Sequence, residues 1–340
     1  MEKDTFSVRL HEARLMMGFS MEHLAELSGG TVTKQSISRY EKGLMHPKSY
    51  VLRSLAQALG FSESYFSGRG VQVDMPMLRC TSNNRLSEEE LQTLEARLSF
   101  WSERYLEKER MAGITPCFIH PMQGTSVANL DEAIRAADLL RERWHCGNGP
   151  LPFLLRLMER KGIKILSMPL PEGVLGLSTW ADSKHPIIVL DMRAERTTTE
   201  RLRFTAAHEL AHILLSFPTD SEFSEEKRCD QFASFFLFPR STFIEELFQN
   251  QRTTLSLAEL IDLRQLYGVS IASMVHEAWD LRIISREHYD WWYDEMIHPN
   301  RIEEGWGNYP YQESIGREGR VEAAGSCTSS KTLIPQPFSL

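Results

Sequence analysis

The segment His208-Glu209-Leu210-Ala211-His212 constrains this chain more than any other feature of its sequence. Residues four positions apart lie on the same face of a helix, so the two imidazoles would point the same way. Two such nitrogens can hold Zn²⁺, and Glu209 between them can act on water beside the ion. The surrounding run, residues 204–215, is largely apolar, and polar groups on such a helix need partners. The pattern therefore predicts a metal site of the metallopeptidase type rather than histidines facing solvent.

A third ligand must come from outside this motif, and two neighbouring carboxylates compete for the role. Glu226 and Asp230 share a helix face, so one can bind the metal while the other orients a ligating histidine from behind. Glu225 is the alternative ligand, one residue away. We favour Glu226 because of its pairing with Asp230. Zn²⁺ is the ion expected from these ligand types, although Mn²⁺ and Fe²⁺ also accept two histidines and a carboxylate.

Composition is that of a soluble globular protein with two or three domains, at 340 residues, 42% of them hydrophobic and 25% charged. A net charge of -8 excludes a chain that is basic throughout, but it is compatible with one small nucleic-acid-binding module. The five cysteines include no C-x-x-C pair, which indicates free thiols in a reducing compartment. No apolar run is long enough to span a bilayer, and because the N-terminus is charged from Glu2 onward we expect no signal peptide. We expect a cytoplasmic protein that does not engage a membrane.

The hydrophobic pattern predicts a mainly α-helical chain with one small β-sheet, an α+β fold class. Short strands are expected at residues 163–167, 175–180 and 186–191. The predicted division has four parts: an all-helical module at 1–68, a linker and a long amphipathic helix at 69–124, a metal-binding domain at 125–295, and an irregular or disordered tail at 296–340.

Residues 6–66 show the spacing of a helix-turn-helix bundle, with Ser20 and Thr33 as helix N-caps and Gly60 as a helix end. The second helix of the pair should enter the DNA major groove with its N-terminal side chains forward. The residues predicted to contact DNA are Thr33, Lys34, Gln35, Ser36, Ser38 and Arg39. Residues 1–60 hold eight Lys/Arg against six Asp/Glu, a net of +2, so tight DNA binding would need either dimerisation or a second DNA-binding site.

This stretch resembles the XRE (Cro-like) helix-turn-helix family, most specifically at Ser36-Ile37-Ser38-Arg39-Tyr40-Glu41-Lys42-Gly43 with Pro47 downstream. The resemblance implies binding to a double-stranded DNA operator as a homodimer. One departure is Met21, where the family usually has a glutamine that contacts DNA. The long helix at residues 86–111 is the candidate dimer interface, and packing against the next domain is the alternative.

Residues 125–295 resemble the ImmA/IrrE family of zinc metallopeptidases. The match rests on Arg203-Phe204-Thr205, the two-histidine motif, Glu226 through Phe232-Ala233, and Leu237-Phe238-Pro239. The resemblance implies a zincin-like fold with His208, His212 and Glu226 as zinc ligands, Glu209 as the general base and Asp230 bracing a ligand.

Members of that family cut a transcriptional repressor, so the expected function is a DNA-binding, zinc-dependent endopeptidase that cleaves a repressor or itself. Two alternatives belong to another class. The first is a regulator, or antitoxin-like protein, whose peptidase fold serves as a sensor or interaction domain without proteolysis. The second is a helix-turn-helix regulator that senses a small acyl ligand.

Overall fold

The first four helices form a bundle of their own in the computed structural model, which describes residues 4–68, 71, 73–74, 77–80, 86–113, 117–193, 197–247 and 253–315. The predicted caps are confirmed: the Ser20 and Thr33 side chains each accept a backbone N–H three residues on, and Gly60 ends its helix with a positive φ. The core of the bundle includes the fully buried side chains Leu10, Leu24, Ile37, Leu55 and Leu59. The elements are α1 Thr5–Met16, α2 Met21–Leu27, α3 Lys34–Glu41, α4 Ser49–Leu59 and a 3₁₀ turn, Glu63–Ser67.

A long helix, α5 Glu88–Met111, follows the bundle and begins with a capping box between Ser87 and Glu90. Its apolar side chains Leu94, Leu98 and Tyr105 are buried against the sheet of the second domain. On another side α5 meets α1, where the buried Arg9 forms an ion pair with Glu103. The apolar face considered for dimerisation is thus covered within one chain, and the alternative interpretation, packing against the next domain, is the right one.

Four strands form one sheet in the order β1-β3-β4-β2. Three of them lie where the sequence predicted strands, and β4 pairs with β2 in parallel and with β3 antiparallel. β1 was not predicted, because its residues fall in the stretch interpreted as a linker; it adds antiparallel to the outer edge of β3. The strands are β1 Met77–Cys80, β2 Lys164–Ser167, β3 Val174–Ala181 and β4 His185–Leu190.

The remaining helices cover the face of the sheet opposite α5. The central one, α8, is buried along nearly its whole length between the sheet and α9. None of the helices in the described ranges is long and apolar enough to cross a membrane. The helices are α6 Leu130–Trp144, α7 Leu154–Arg160, α8 Thr199–Leu214, α9 Glu225–Leu237, α10 Arg240–Glu246, α11 Leu257–Tyr267, α12 Ile271–Asp280, α13 Arg286–Trp291 and a π-helical turn, Trp292–Ile297.

The segment after the π-helical turn is irregular but packed, which corrects the expectation of a separate tail from residue 296. Glu313 is buried, accepts hydrogen bonds from the backbone N–H groups of Leu154 and Leu155, and forms an ion pair with Arg203 of α8. Glu303 caps α12 in the same way and pairs with Arg264. Because these carboxylates satisfy helix N-termini and buried guanidinium groups, the second domain extends at least to Glu313. Residues 316–340, the rest of the predicted tail, lie outside the described residues.

Candidate metal centre and DNA-binding helix

Two helices bring the predicted metal ligands together. α8 carries His208 and His212 one turn apart, and α9, which Ser224 caps, presents its first turn to them. α8 can approach β3 because residue 176 is glycine: a Cβ there would lie 2.5 Å from Thr205 Cγ2 and 3.4 Å from Glu209 Cγ. The close packing of β3 on α8 thus sets the distance between the two-histidine motif and the sheet.

Three donors converge between α8 and α9. The Nε2 atoms of His208 and His212 are 3.2 Å apart. The two Glu226 carboxylate oxygens lie 3.2 Å from Nε2 of His208 and 3.3 Å from Nε2 of His212. A tetrahedral zinc site with bonds of 2.0–2.1 Å has edges of about 3.3 Å. The donor set therefore fits a zinc ion in both chemistry and spacing.

The far side of each imidazole is held by another carboxylate. Nδ1 of His208 contacts Asp230 at 2.8 Å, and Nδ1 of His212 contacts Glu225 at 2.9 Å. A carboxylate that accepts the Nδ1 proton fixes the tautomer in which Nε2 carries the free lone pair. Asp230 thus lies where the sequence predicted a bracing residue. Glu225, considered as a competing ligand, faces the opposite side of its histidine from Glu226. Its bracing contact was missed, although the need of His212 for an Nδ1 partner was a usable signal.

Cys229 is the other potential donor near the histidines. The ligand atoms of His208, His212 and Cys229 lie within 4.8 Å of one another. The thiol, however, approaches Nδ1 of His212, at 3.7 Å, which is the side turned away from Glu226. Burial, reinforced by the nearby carboxylates, raises the pKa of this thiol, and only the thiolate is a strong metal ligand. Cys229 therefore packs as a small buried side chain.

Charge in the site suits a cation. Hydrogen bonds from His208 and His212 lower the pKa of Glu226, which keeps this carboxylate ionised. Burial of His212 disfavours its protonated form, but contact with Glu226 and the charges of Glu209 and Glu225 leave its pKa raised. A metal ion binds only the unprotonated imidazole nitrogens, so metal binding at these donors should release protons.

Access to the centre is unequal on its two sides. The Glu226 side chain is 54% exposed, so this side is open to solvent. Glu209 is 0% exposed and lies on the face of α8 turned toward β3. A group that accepts a proton during catalysis must meet its substrate, and here that side is covered.

The predicted DNA-contact residues lie on and just before α3. Thr33, Lys34, Gln35 and Arg39 are exposed, and Ser36 and Ser38 are half-buried. Ile37 and Tyr40 turn inward to the core, so the polar face of α3 points outward. Some of these groups are already engaged, since Thr33 accepts a hydrogen bond from the Ser36 backbone and Lys34 pairs with Glu22 of α2. Met21, the departure from the family pattern, packs on the core.

Two family matches agree with this geometry. Residues 10–66 match the helix-turn-helix family, and residues 158–278 match the Peptidase_M78 family, the IrrE N-terminal-like domain. No curated protein matches the sequence significantly. The class is therefore a DNA-binding protein with a metallopeptidase-family domain. This chain joins an XRE-type helix-turn-helix domain to an IrrE N-terminal-like domain, as the sequence predicted.

Proposed function

We propose that this protein is a DNA-bound, metal-dependent endopeptidase that cleaves a transcriptional repressor, or its own chain, beside an operator. The observation that carries the proposal is the convergence of two Nε2 atoms and the Glu226 carboxylate at 3.2–3.3 Å. The adjacent Glu209 supplies the acid–base group that a purely structural metal site does not need.

In this proposal His208, His212 and Glu226 hold the ion, and Glu225 and Asp230 orient the two imidazoles. The ion, preferably Zn²⁺, would supply Lewis acidity that polarises a peptide carbonyl and acidifies water. Three protein donors leave one tetrahedral position for this chemistry. Mn²⁺ and Fe²⁺ suit the same donors and are alternatives for the resident metal.

In this proposal Glu209 acts first as the general base and then as the general acid. Glu209 directly follows the proposed ligand His208 on α8, so its carboxylate is available close to the proposed metal position. It would accept a proton from the attacking water and pass that proton to the departing amine.

The DNA-binding domain would bring the peptidase to its substrate. A repressor bound at the same operator is then held at high effective concentration, so a weak peptide-binding site is sufficient. Because residues 1–60 carry a net charge of only +2, we propose that two copies of the chain bind one operator.

The test is cleavage of the repressor encoded next to this protein, with zinc added and with zinc removed by a chelator. We expect Glu209→Gln to lose activity by about 10²–10⁴-fold, while zinc content and operator binding stay unchanged. Glu222→Gln, which changes an exposed carboxylate ahead of α9, is the matched control. Equal cleavage by wild type and Glu209→Gln would exclude the proposed general base.

A second candidate is a regulator that uses the metal domain as a sensor without proteolysis. The complete burial of Glu209 favours it, because a buried carboxylate does not meet a substrate. If this candidate is correct, the wild type binds zinc and operator but cleaves neither the repressor nor itself. Glu209→Gln then regulates its promoter normally.

A further inference from the structure

The strand nearest the proposed general base has both of its edges occupied. β3 pairs with β4 on one side and with β1 on the other. Arg79 of β1 lies opposite Gly176, and Leu78 lies opposite Leu177. Gly176 is the β3 residue that packs on Glu209 Cγ. The backbone of β1 therefore runs along β3 at the level of Glu209.

An extended peptide binds a sheet by adding as a further strand, with main-chain hydrogen bonds providing much of the affinity. A scissile peptide that has to reach Glu209 needs the β3 edge beside Gly176, because β3 is the strand in contact with that residue. The opposite edge of β3 is the interior of the sheet. A substrate strand and β1 therefore compete for one row of backbone groups.

We propose that β1 occupies the substrate position of β3 and holds the peptidase inactive in cis. The inference rests on the proposed function and adds a regulatory step to it: β1 must leave before a substrate strand can bind. In this arrangement Glu209 is 0% exposed, and Cα atoms of β1 and α8 approach within 8 Å of each other. Glu209 is thus buried on its β3 side, which is also where β1 occupies the edge of β3.

The segment before β1 is anchored to the same strand. The Asp74 backbone N–H donates to the Trp180 carbonyl at 2.9 Å, and Thr179 Oγ1 donates to the Asp74 carbonyl at 2.7 Å. Val73 bridges Ala181. Between Arg79 and Cys80 the register shifts, and such irregularities end or loosen pairing. β1 is thus a four-residue edge strand that is hydrogen-bonded to β3 just before its start and irregularly paired at its end. A longer substrate strand could replace it.

The chain connects this strand to the DNA-binding domain. β1 lies between the 3₁₀ turn Glu63–Ser67 and α5, and Arg9 of α1 both pairs with Glu103 and donates to the Gly68 carbonyl. One buried guanidinium therefore ties the bundle to α5 and to the start of the β1 connector. A shift of the bundle on operator binding would pull directly on that connector.

The first test removes the strand while keeping the chain length. In the full-length Glu209→Gln protein, Met77→Gly, Leu78→Ser, Arg79→Gly and Cys80→Ser are combined, and backbone hydrogen exchange is measured. We expect amides of β3 to exchange at least about tenfold faster, while α9 keeps its protection as the folding control. Unchanged exchange in β3 would overturn the proposal.

The second test measures whether the exposed edge accepts a strand. A fluorescent peptide with the sequence of residues 71–82 should bind the four-residue variant at least about tenfold more tightly than the parent Glu209→Gln protein. A peptide of the same composition in scrambled order is the control. Equal binding to variant and parent would overturn the proposal.

A third measurement needs no strand-deleting variant. Excess 71–82 peptide added to intact protein should accelerate hydrogen exchange at residues 77–80, and the scrambled peptide should not. Binding without cleavage in the Glu209-containing protein would leave the strand proposal standing and refute the peptidase. Cleavage unaffected by removal of β1, together with equal peptide binding, would refute the strand proposal alone.

Discussion

The two modules of this chain build their functional surfaces in different ways. In the helix-turn-helix module, the predicted DNA contacts come from one exposed stretch, residues 33–39, on a helix whose other face fills the core. In the metal module, the donors come from α8 and α9, and buried charges more than 90 residues from the motif hold α8 in place. A local surface tolerates change elsewhere in its domain, whereas a convergent site depends on distant packing.

The largest effect is expected from the C-terminal carboxylate that pairs with α8. Glu313→Ala removes the carboxylate that forms an ion pair with the fully buried Arg203 guanidinium, and it also uncaps α7. Loss of one member of a buried ion pair costs about 3–5 kcal/mol. We expect the second domain to unfold at a lower urea concentration than in the wild type. The urea midpoint of the helical bundle, followed by a signal that does not come from tryptophan, should stay the same. Glu304→Ala, at an exposed neighbouring carboxylate, is the control. Equal destabilisation by both variants would contradict the structural role of Glu313.

Metal binding provides the next test. His208→Ala removes one of three donors, and we expect zinc affinity to fall by more than about 100-fold, measured by competition with a chelator dye. Cys229→Ala removes a nearby thiol and should leave zinc affinity within about twofold, because the Cys229 sulfur lies on the Nδ1 side of His212. A larger loss in Cys229→Ala than in His208→Ala would assign the thiol as a ligand. Operator binding should be unchanged in both variants.

The bracing role of Glu225 predicts an intermediate effect. Glu225→Gln keeps the size of the side chain but removes the negative charge at Nδ1 of His212. We expect zinc affinity to decrease by about 10–100-fold, as for other residues that orient a ligating histidine. Glu222→Gln changes an exposed carboxylate three residues earlier in the chain and serves as the comparison. If Glu225→Gln abolishes binding as completely as His208→Ala does, Glu225 is itself a ligand.

In the local module, Gln35→Ala should weaken operator binding by about 1–3 kcal/mol and relax the preference at one base pair. The reason is that Gln35 is exposed at the start of α3, where it can pair with a base edge. Gln57→Ala, an exposed glutamine on α4, is the matched control. Fluorescence anisotropy with operator variants measures both quantities, and zinc content should not respond.

The smallest effect concerns pH. Burial raises the pKa of Glu277 from 4.5 to about 7, against the hydrogen bonds that Ser234 and Gln231 provide. The folded state therefore favours the protonated carboxyl, so this stability is complete below pH 4.5 and is lost as pH rises through 7. We expect Glu277→Gln to reduce the pH dependence of unfolding between pH 5 and 7 by on the order of 1 kcal/mol. An identical pH profile for wild type and variant would show that Glu277 does not titrate in this range.

Much of the fold follows from local patterns. The caps at Ser20 and Thr33, the end at Gly60 and three of the four strands were predictable, because capping and hydrophobic alternation act over a few residues. β1 was not, since a four-residue strand next to Pro76, in a stretch interpreted as a linker, acquires its structure only from the edge of β3. The packing of residues 298–315 could not be predicted for a similar reason. Glu303 and Glu313 are isolated in a segment without hydrophobic periodicity, and their partners Arg264 and Arg203 lie far away in sequence.

For the candidate site, the sequence alone determined that two imidazoles share a helix face with a carboxylate residue between them, since helical spacing dictates it. It also placed Glu226 and Asp230 on one face of a second helix. Only the tertiary structure decided that Glu226 faces the Nε2 atoms and Glu225 an Nδ1 atom, because that depends on how α9 is rotated against α8. It also decided that β1 covers the edge beside Glu209. Spacing along one helix is set by its own hydrogen bonds, whereas the placement of two elements is set by the packing of the whole core.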